Sequence, residues 1–224
     1  MELTDGVYAF PQTLTRGDTE QTFSPSAVET PLGILLVDVG FPGLTDQVES
    51  NLAEAGYEWA DVHGIVLTHQ DGDHAGGLAA VLDRTDATVY AHEACAPYVD
   101  GREHPIKAGD GERYPPARVD VELVDGVTFH TDAGPMEVVF TPGHAPGHIS
   151  LFLPEAGLLL AGDATVAAEG DLVGPNEQYT PDMASALDSL DRLADLSFDR
   201  TLCHHGGYVE AGADRLGALA EELR

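Results

Sequence analysis

Leu67-Thr68-His69-Gln70-Asp71-Gly72-Asp73-His74-Ala75-Gly76-Gly77 places four potential metal ligands within six residues, with two glycines after them. The apolar run Gly64-Ile65-Val66-Leu67 leading in predicts a short buried strand, and the segment from Gly77 to Leu82 predicts the start of a helix. The four polar side chains then sit on the loop leaving the C-terminal end of a strand, where α/β folds place their sites. Histidine and aspartate are ligands suited to zinc, iron or manganese.

Outward from this stretch, the chain alternates short apolar runs with turns and amphipathic segments. Strands are expected at 6–10, 26–30, 34–40 and 88–92, with a helix from Thr45 to Gly56. Residues 100–118 carry glycine, proline and charge without periodicity and are expected to be a loop. In the second half, strands are expected at 119–123, 127–130, 136–140, 149–153, 157–161 and 200–203. Residues 164–179 read as irregular, Thr180 with Pro181 as the start of a helix, and residues 208–224 as the last helix. Each half is thus a strand cluster followed by helices. Two sheets covered by outer helices make a four-layer α/β sandwich, a single domain over 1–224.

Length and composition bound the function. The 224 residues are enough for a large core, and at 43% hydrophobic the chain is globular. Its 39 acidic residues against 10 basic ones give a formal charge of −29, and Lys107 is the only lysine. So acidic a surface repels nucleic-acid phosphates and anionic lipid, so neither is an expected partner. The acids are scattered, a pattern of self-repulsion associated with a salty, halophilic cytoplasm. Cys95 and Cys203 are far apart and imply no disulfide framework. The first residues lack a basic and an apolar signal region, and no apolar run is long enough to span a bilayer, so a cytoplasmic location is expected. Monomer and homodimer are both compatible with the sequence.

Three further polar residues end buried strands. His144 follows strand 136–140 in Thr141-Pro142-Gly143-His144, Asp163 ends Leu160-Ala161-Gly162-Asp163, and His205 ends Cys203-His204-His205-Gly206. Glycine beside each lets the backbone approach a crowded centre. With these in place the chain resembles the metallo-β-lactamase-fold hydrolase superfamily, including its glyoxalase-II-like and lactonase-like branches. The motifs appear in order: H-x-[H]-x-D-H, a T-P-G-H, a G-D and a late His before Gly, covering roughly 5–208. The resemblance implies an αββα sandwich of the metallo-β-lactamase type. It also implies two divalent metals, zinc foremost, with His69, position 71 and His144 on one, Asp73, His74 and His205 on the other, and Asp163 bridging.

The chain departs from the family pattern at one position: Asp71 stands where the family has histidine. A carboxylate there favours iron or manganese more than an all-histidine site does, and the flavodiiron branch also carries one. Three outcomes stay open: two metals with Asp71 bound, one metal on the second set only, or iron instead of zinc. Asp71 could equally orient a ligand histidine, and His204 competes with His205 for its place. His148 reads as a pocket residue or a core histidine, Asp38 as a hydrogen-bond partner of a ligand histidine, and His63, His92, His104 and His130 as surface or core.

The resemblance further implies hydrolysis by a metal-bound hydroxide, with Asp73 ligating and orienting the nucleophile. The expected substrate is a small-molecule thioester or lactone. Asn176 and Tyr179, on the segment leaving Asp163, are the candidates to bind it. Two other classes remain: a mononuclear non-haem iron dioxygenase acting on a sulfur substrate, and a non-catalytic metal-binding protein on the same fold.

Overall fold

The structure is a computed structural model that describes residues 1–109 and 113–224. Positions 110–112 of the expected 100–118 loop lie outside the described residues. Its two main sheets follow from a period of two in the apolar residues. The seven-stranded sheet runs, edge to edge, Glu2–Thr4, Val7–Ala9, Ser26–Thr30, Gly33–Val37, Val62–Leu67, Thr88–His92 and Val121–Leu123. The six-stranded sheet runs Thr128–Thr131, Gly134–Phe140, Ile149–Leu153, Leu158–Gly162, Arg200–Cys203 and Gly207–Val209.

The strands are apolar on both faces because both faces are covered. In Gly33–Val37, Ile34 and Leu36 pack with Val48, Leu52, Leu78 and Val81 of the outer helices, while Leu35 and Val37 point to the other sheet. In Leu158–Gly162, Leu158 and Leu160 face the first sheet, while Leu159 and Ala161 pack with Leu190, Leu193 and Leu216 of the helices on the far side. Three separate apolar interlayers therefore lie between four layers, which is the αββα sandwich that the pattern of strands and helices implies.

The structure corrects several local expectations. Residues 12–23 form a hairpin, Gln12–Arg16 with Thr19–Phe23, whose polar exposed strands carry little periodic signal. The strand expected to reach Gly40 stops at Val37, because Asp38 adopts a left-handed φ of 60°. The helix after the motif is split. Gly72–Ala75 is a first helical turn, so Asp73 and His74 sit on it and not on a loop, and Leu78–Leu82 follows. Residues 164–179, expected to be irregular, hold a second hairpin, Val166–Ala168 with Asp171–Val173. Asp182 caps Met183–Ala194, accepting from the Ser185 amide at 3.0 Å, in place of Thr180. The last helix is Ala213–Glu222, since 207–209 add a strand to the sheet. No helix among the described residues is long and apolar enough to cross a membrane.

Candidate metal centre

The expected ligands come from the ends of both sheets and meet at one point. Asp163, at the end of Leu158–Gly162, is 7% exposed and is the meeting place. Its Oδ1 lies 3.4 Å from His74 Nε2. Its Oδ2 lies 3.3 Å from both His144 Nε2 and His205 Nε2 and 4.0 Å from His69 Nε2. Asp71 Oδ2 is 3.1 Å from His144 Nε2 and 3.4 Å from His69 Nε2. Asp73 Oδ2 is 3.2 Å from His205 Nε2 and 4.0 Å from His74 Nε2. Potential donor atoms of His69, Asp71 and His144, and separately of Asp73, His74 and His205, fall within 4.8 Å of one another. All seven residues singled out in the sequence are thus brought together.

These groups fit a metal by their chemistry. Nε2 of His69, Nε2 of His74, Oδ1 of Asp71 and Oδ1 of Asp163 are buried without a hydrogen-bond partner. Unpaired buried polar atoms are costly, and donor atoms of His69, His74 and Asp163 lie within 4.8 Å of one another, a set that suits a cation. The tautomers agree. Thr68 Oγ1 donates to Asp38 Oδ2 at 2.7 Å, so it accepts from His69 Nδ1 at 3.1 Å and leaves the Nε2 lone pair facing the centre. His74 Nδ1 donates to Asp38 Oδ2 at 2.7 Å, which aims its Nε2 the same way. Asp38, expected as a partner of a ligand histidine, is placed in that position, and its left-handed backbone is strain held at a site.

The electrostatics point the same way. Burial would raise the Asp163 carboxyl, but His74 and His205 around it hold it well below the usual carboxylate range. Burial opposes a charge on His74, yet Asp163, Asp38 and Asp73 raise its pKa well above an ordinary histidine. Burial likewise opposes the charge on His205, and Asp163 and Asp73 push it up to about 9. The carboxylates thus draw positive charge to the positions where the ligand nitrogens converge.

Other expectations resolve by position. His205, not His204, reaches Asp73 and Asp163; His204 is buried beside Asp38 and stacks on His74 at 3.6 Å between centroids. His148 is fully buried and holds Asp163 by its backbone. Asp163 N donates to His148 Nε2 at 2.9 Å, so His148 Nδ1 donates to Thr141 Oγ1 at 2.8 Å. Gly162 sits between them at φ +56°, and a Cβ there would come 2.8 Å from His148 Nε2. His92 stacks on Phe140 away from the centre. A cavity of about 520 Å³ opens over the site, lined by Asp71, Asp73, Asp163 and His205 and also by Asn176 and Tyr179.

Two contributors carried no sequence motif. Gln70, the unspecified residue of H-x-D, is fully buried. Its Oε1 accepts from Ile106 N at 3.0 Å and its backbone oxygen from Tyr114 OH at 2.7 Å. The Ile106 bond pins the 105–109 segment beside the motif and brings in Lys107, whose Nζ is 2.7 Å from Asp71 Oδ2. That it is the chain's sole lysine was the one available signal.

The sequence model of the Metallo-beta-lactamase superfamily matches residues 26–205. The chain is 30% identical over 211 residues to the probable metallo-hydrolase YflN of Bacillus subtilis, a match covering 79% of this chain and 76% of that protein. It is 31% identical over 181 residues to a hydroxyacylglutathione hydrolase of Ruegeria pomeroyi, covering 79% of this chain but 61% of that enzyme. The crystal structure of the metallo-beta-lactamase family protein TTHA1429 from Thermus thermophilus superimposes with a TM-score of 0.81 at 28% identity, covering 99% of this chain and 80% of that one.

Proposed function

We propose, from the premise that this chain belongs to the metallo-beta-lactamase superfamily, that it is a metallo-hydrolase cleaving a thioester or lactone of a small acid in the cavity above Asp163. The observation that carries the reading is the Asp163 carboxylate, whose two oxygens face histidines of both ligand sets, with unpartnered buried atoms directed at the gap. When bound, a metal supplies a Lewis acid and lowers the pKa of water from 15.7 to about 7. Asp73, at 3.2 Å from His205 and on the cavity wall, holds and orients the attacking water and takes its proton. His148 and Asp38 keep Asp163 and His74 in place from behind. Asn176 and Tyr179, which line the same cavity, meet the substrate.

A small acid suits the charge pattern at the mouth. Among the described residues, Arg84, Arg102, Arg118, Arg192, Arg200 and the two near the C-terminus all pair with carboxylates. Arg16 and Arg113 line the open cleft that continues from the site past Asp71 and Asp73; Arg113 spends its guanidinium on the backbone oxygens of Tyr98, Glu103 and Tyr114, and Arg16 has no carboxylate partner among the described residues. In a chain of charge −29, the Arg16 guanidinium beside the site gives an anionic end of the substrate its counterion. The hydroxyacylglutathione hydrolase relative, by its name a thioesterase, supports the thioester class.

The test is a panel of thioesters, lactones and simple esters with metal-loaded protein and its Asp163→Ala variant. Turnover of a thioester or lactone, lost in the variant, supports the reading. Oxygen uptake on a thiol substrate without hydrolysis of any member would overturn it in favour of a dioxygenase.

A further inference from the structure

We propose that Lys107 is a built-in cation of this centre. Its ammonium takes the place that a metal would hold among His69, Asp71 and His144, so that the chain binds one metal, on Asp73, His74, His205 and Asp163. This deepens the metallo-hydrolase reading and rests on it.

Contact geometry carries the argument. Lys107 Nζ lies 2.7 Å from Asp71 Oδ2 and 2.6 Å from His144 Nε2. An ammonium only donates hydrogen bonds, so His144 Nε2 is the acceptor and its lone pair is directed at the lysine. That lone pair is the one a metal would need, at about 2.0–2.1 Å. Nζ and a metal cannot both hold it, and Asp71 Oδ2 is engaged in the same way. The other ligand set has no such competitor. Among the described residues, the ion-pair partners of Asp73 are His74 and His205 alone.

Charge tells the same story. Replacing the family's histidine by Asp71 adds one negative charge, so Asp71, Asp73 and Asp163 bring −3 to the centre. The Lys107 ammonium answers the added charge of Asp71, while the buried Asp38 carboxylate behind His74 adds a fourth negative charge on the side of the other ligand set, where a divalent ion would sit. Asp71 and Lys107 thus read as one linked change, the acid that departs from the motif and the base that answers it.

The lysine is also held there. Its neighbour Ile106 donates its backbone N–H to Gln70, which lies between ligands His69 and Asp71 and is itself fully buried. Tyr114 OH donates to the Gln70 carbonyl, and Pro105, two residues before the lysine, is buried. Lys107 therefore comes to the site on a segment tethered at the ligand motif itself, with its side chain about a quarter exposed.

The test counts metal. Protein stripped by chelator is reloaded with excess zinc, desalted and analysed for bound metal, with calorimetric titration in parallel. The wild type is expected to hold about one ion per chain and Lys107→Ala about two, with a second, weaker binding event appearing in the titration. Two ions in the wild type would overturn the lysine proposal and leave the hydrolase reading standing. One ion in both proteins would also overturn it, since the lysine would then not be what keeps the second metal out. No ion in either would overturn both readings together. Because the wild-type count alone can refute the proposal, the test does not hang on how the variant folds.

Discussion

His74 and His144 are both buried histidines aimed at Asp163, at 3.4 Å and 3.3 Å, yet they are held in opposite ways. His74 has a carboxylate behind it. Asp38 accepts a hydrogen bond from its Nδ1, is itself 4% exposed, and is fixed by two bonds from Thr68. His144 has a cation in front of it, the Lys107 ammonium donating to its Nε2. The first arrangement raises the basicity of the ligand nitrogen and waits for a metal; the second occupies that nitrogen. The difference teaches that two triads of similar residue types need not be two metal sites, and that what decides is the partner beyond each ligand.

The comparison can be broken by substitution, and the largest effect belongs to the shared carboxylate. Asp163→Ala removes the group that faces both sets, and hydrolysis is expected to fall by well over about 100-fold, because even an outer partner of a ligand is worth about 10–100-fold; steady-state kinetics on the best substrate checks it. Next comes the support of His74. Asp38→Ala leaves the His74 Nδ1 and Thr68 donors without their buried acceptor. Metal affinity should drop about 10–100-fold, and stability should fall by about 3–5 kcal/mol as a buried charged pair is broken, read by metal titration and urea unfolding. If metal affinity is unchanged, the two histidines are not held differently and the asymmetry fails.

Backbone placement of Asp163 ranks third. Gly162→Ala sets a Cβ 2.8 Å from His148 Nε2 at a left-handed φ, with an expected loss of about 1–3 kcal/mol and a lower kcat, seen by thermal melting and kinetics. Asn176→Ala and Tyr179→Phe touch only the cavity wall. They should raise KM about threefold to tenfold with kcat nearly kept, the signature of lost uniform binding.

The residues of the centre could be read in advance where they end buried strands. His69, His144, Asp163 and His205 each follow an apolar run, and the same alternation that marked those runs sorts Leu158 and Leu160 from Leu159 and Ala161 into separate interlayers. Lys107 could not be read so. It lies 36 residues from Asp71 in an aperiodic stretch, and its position depends on a Gln70 bond that no spacing rule describes. The two hairpins at 12–23 and 166–173 escaped for a related reason: their strands are short and mostly exposed or half-buried, so no buried face imposes a period. Helix starts were missed by two to five residues where a polar cap or an added edge strand, not apolar periodicity, sets the boundary, as at Asp182 and 207–209.

Thermal melting of chelator-stripped protein with and without added zinc tests the Asp163 metal centre most directly. At a free metal concentration 100 times Kd the gain is about 2.7 kcal/mol, which for a chain of this size is a rise of about 5–10 °C in Tm. The wild type should show that rise and Asp163→Ala should not. An equal rise in both, or none in the wild type, would contradict a metal held by Asp163 and its histidines.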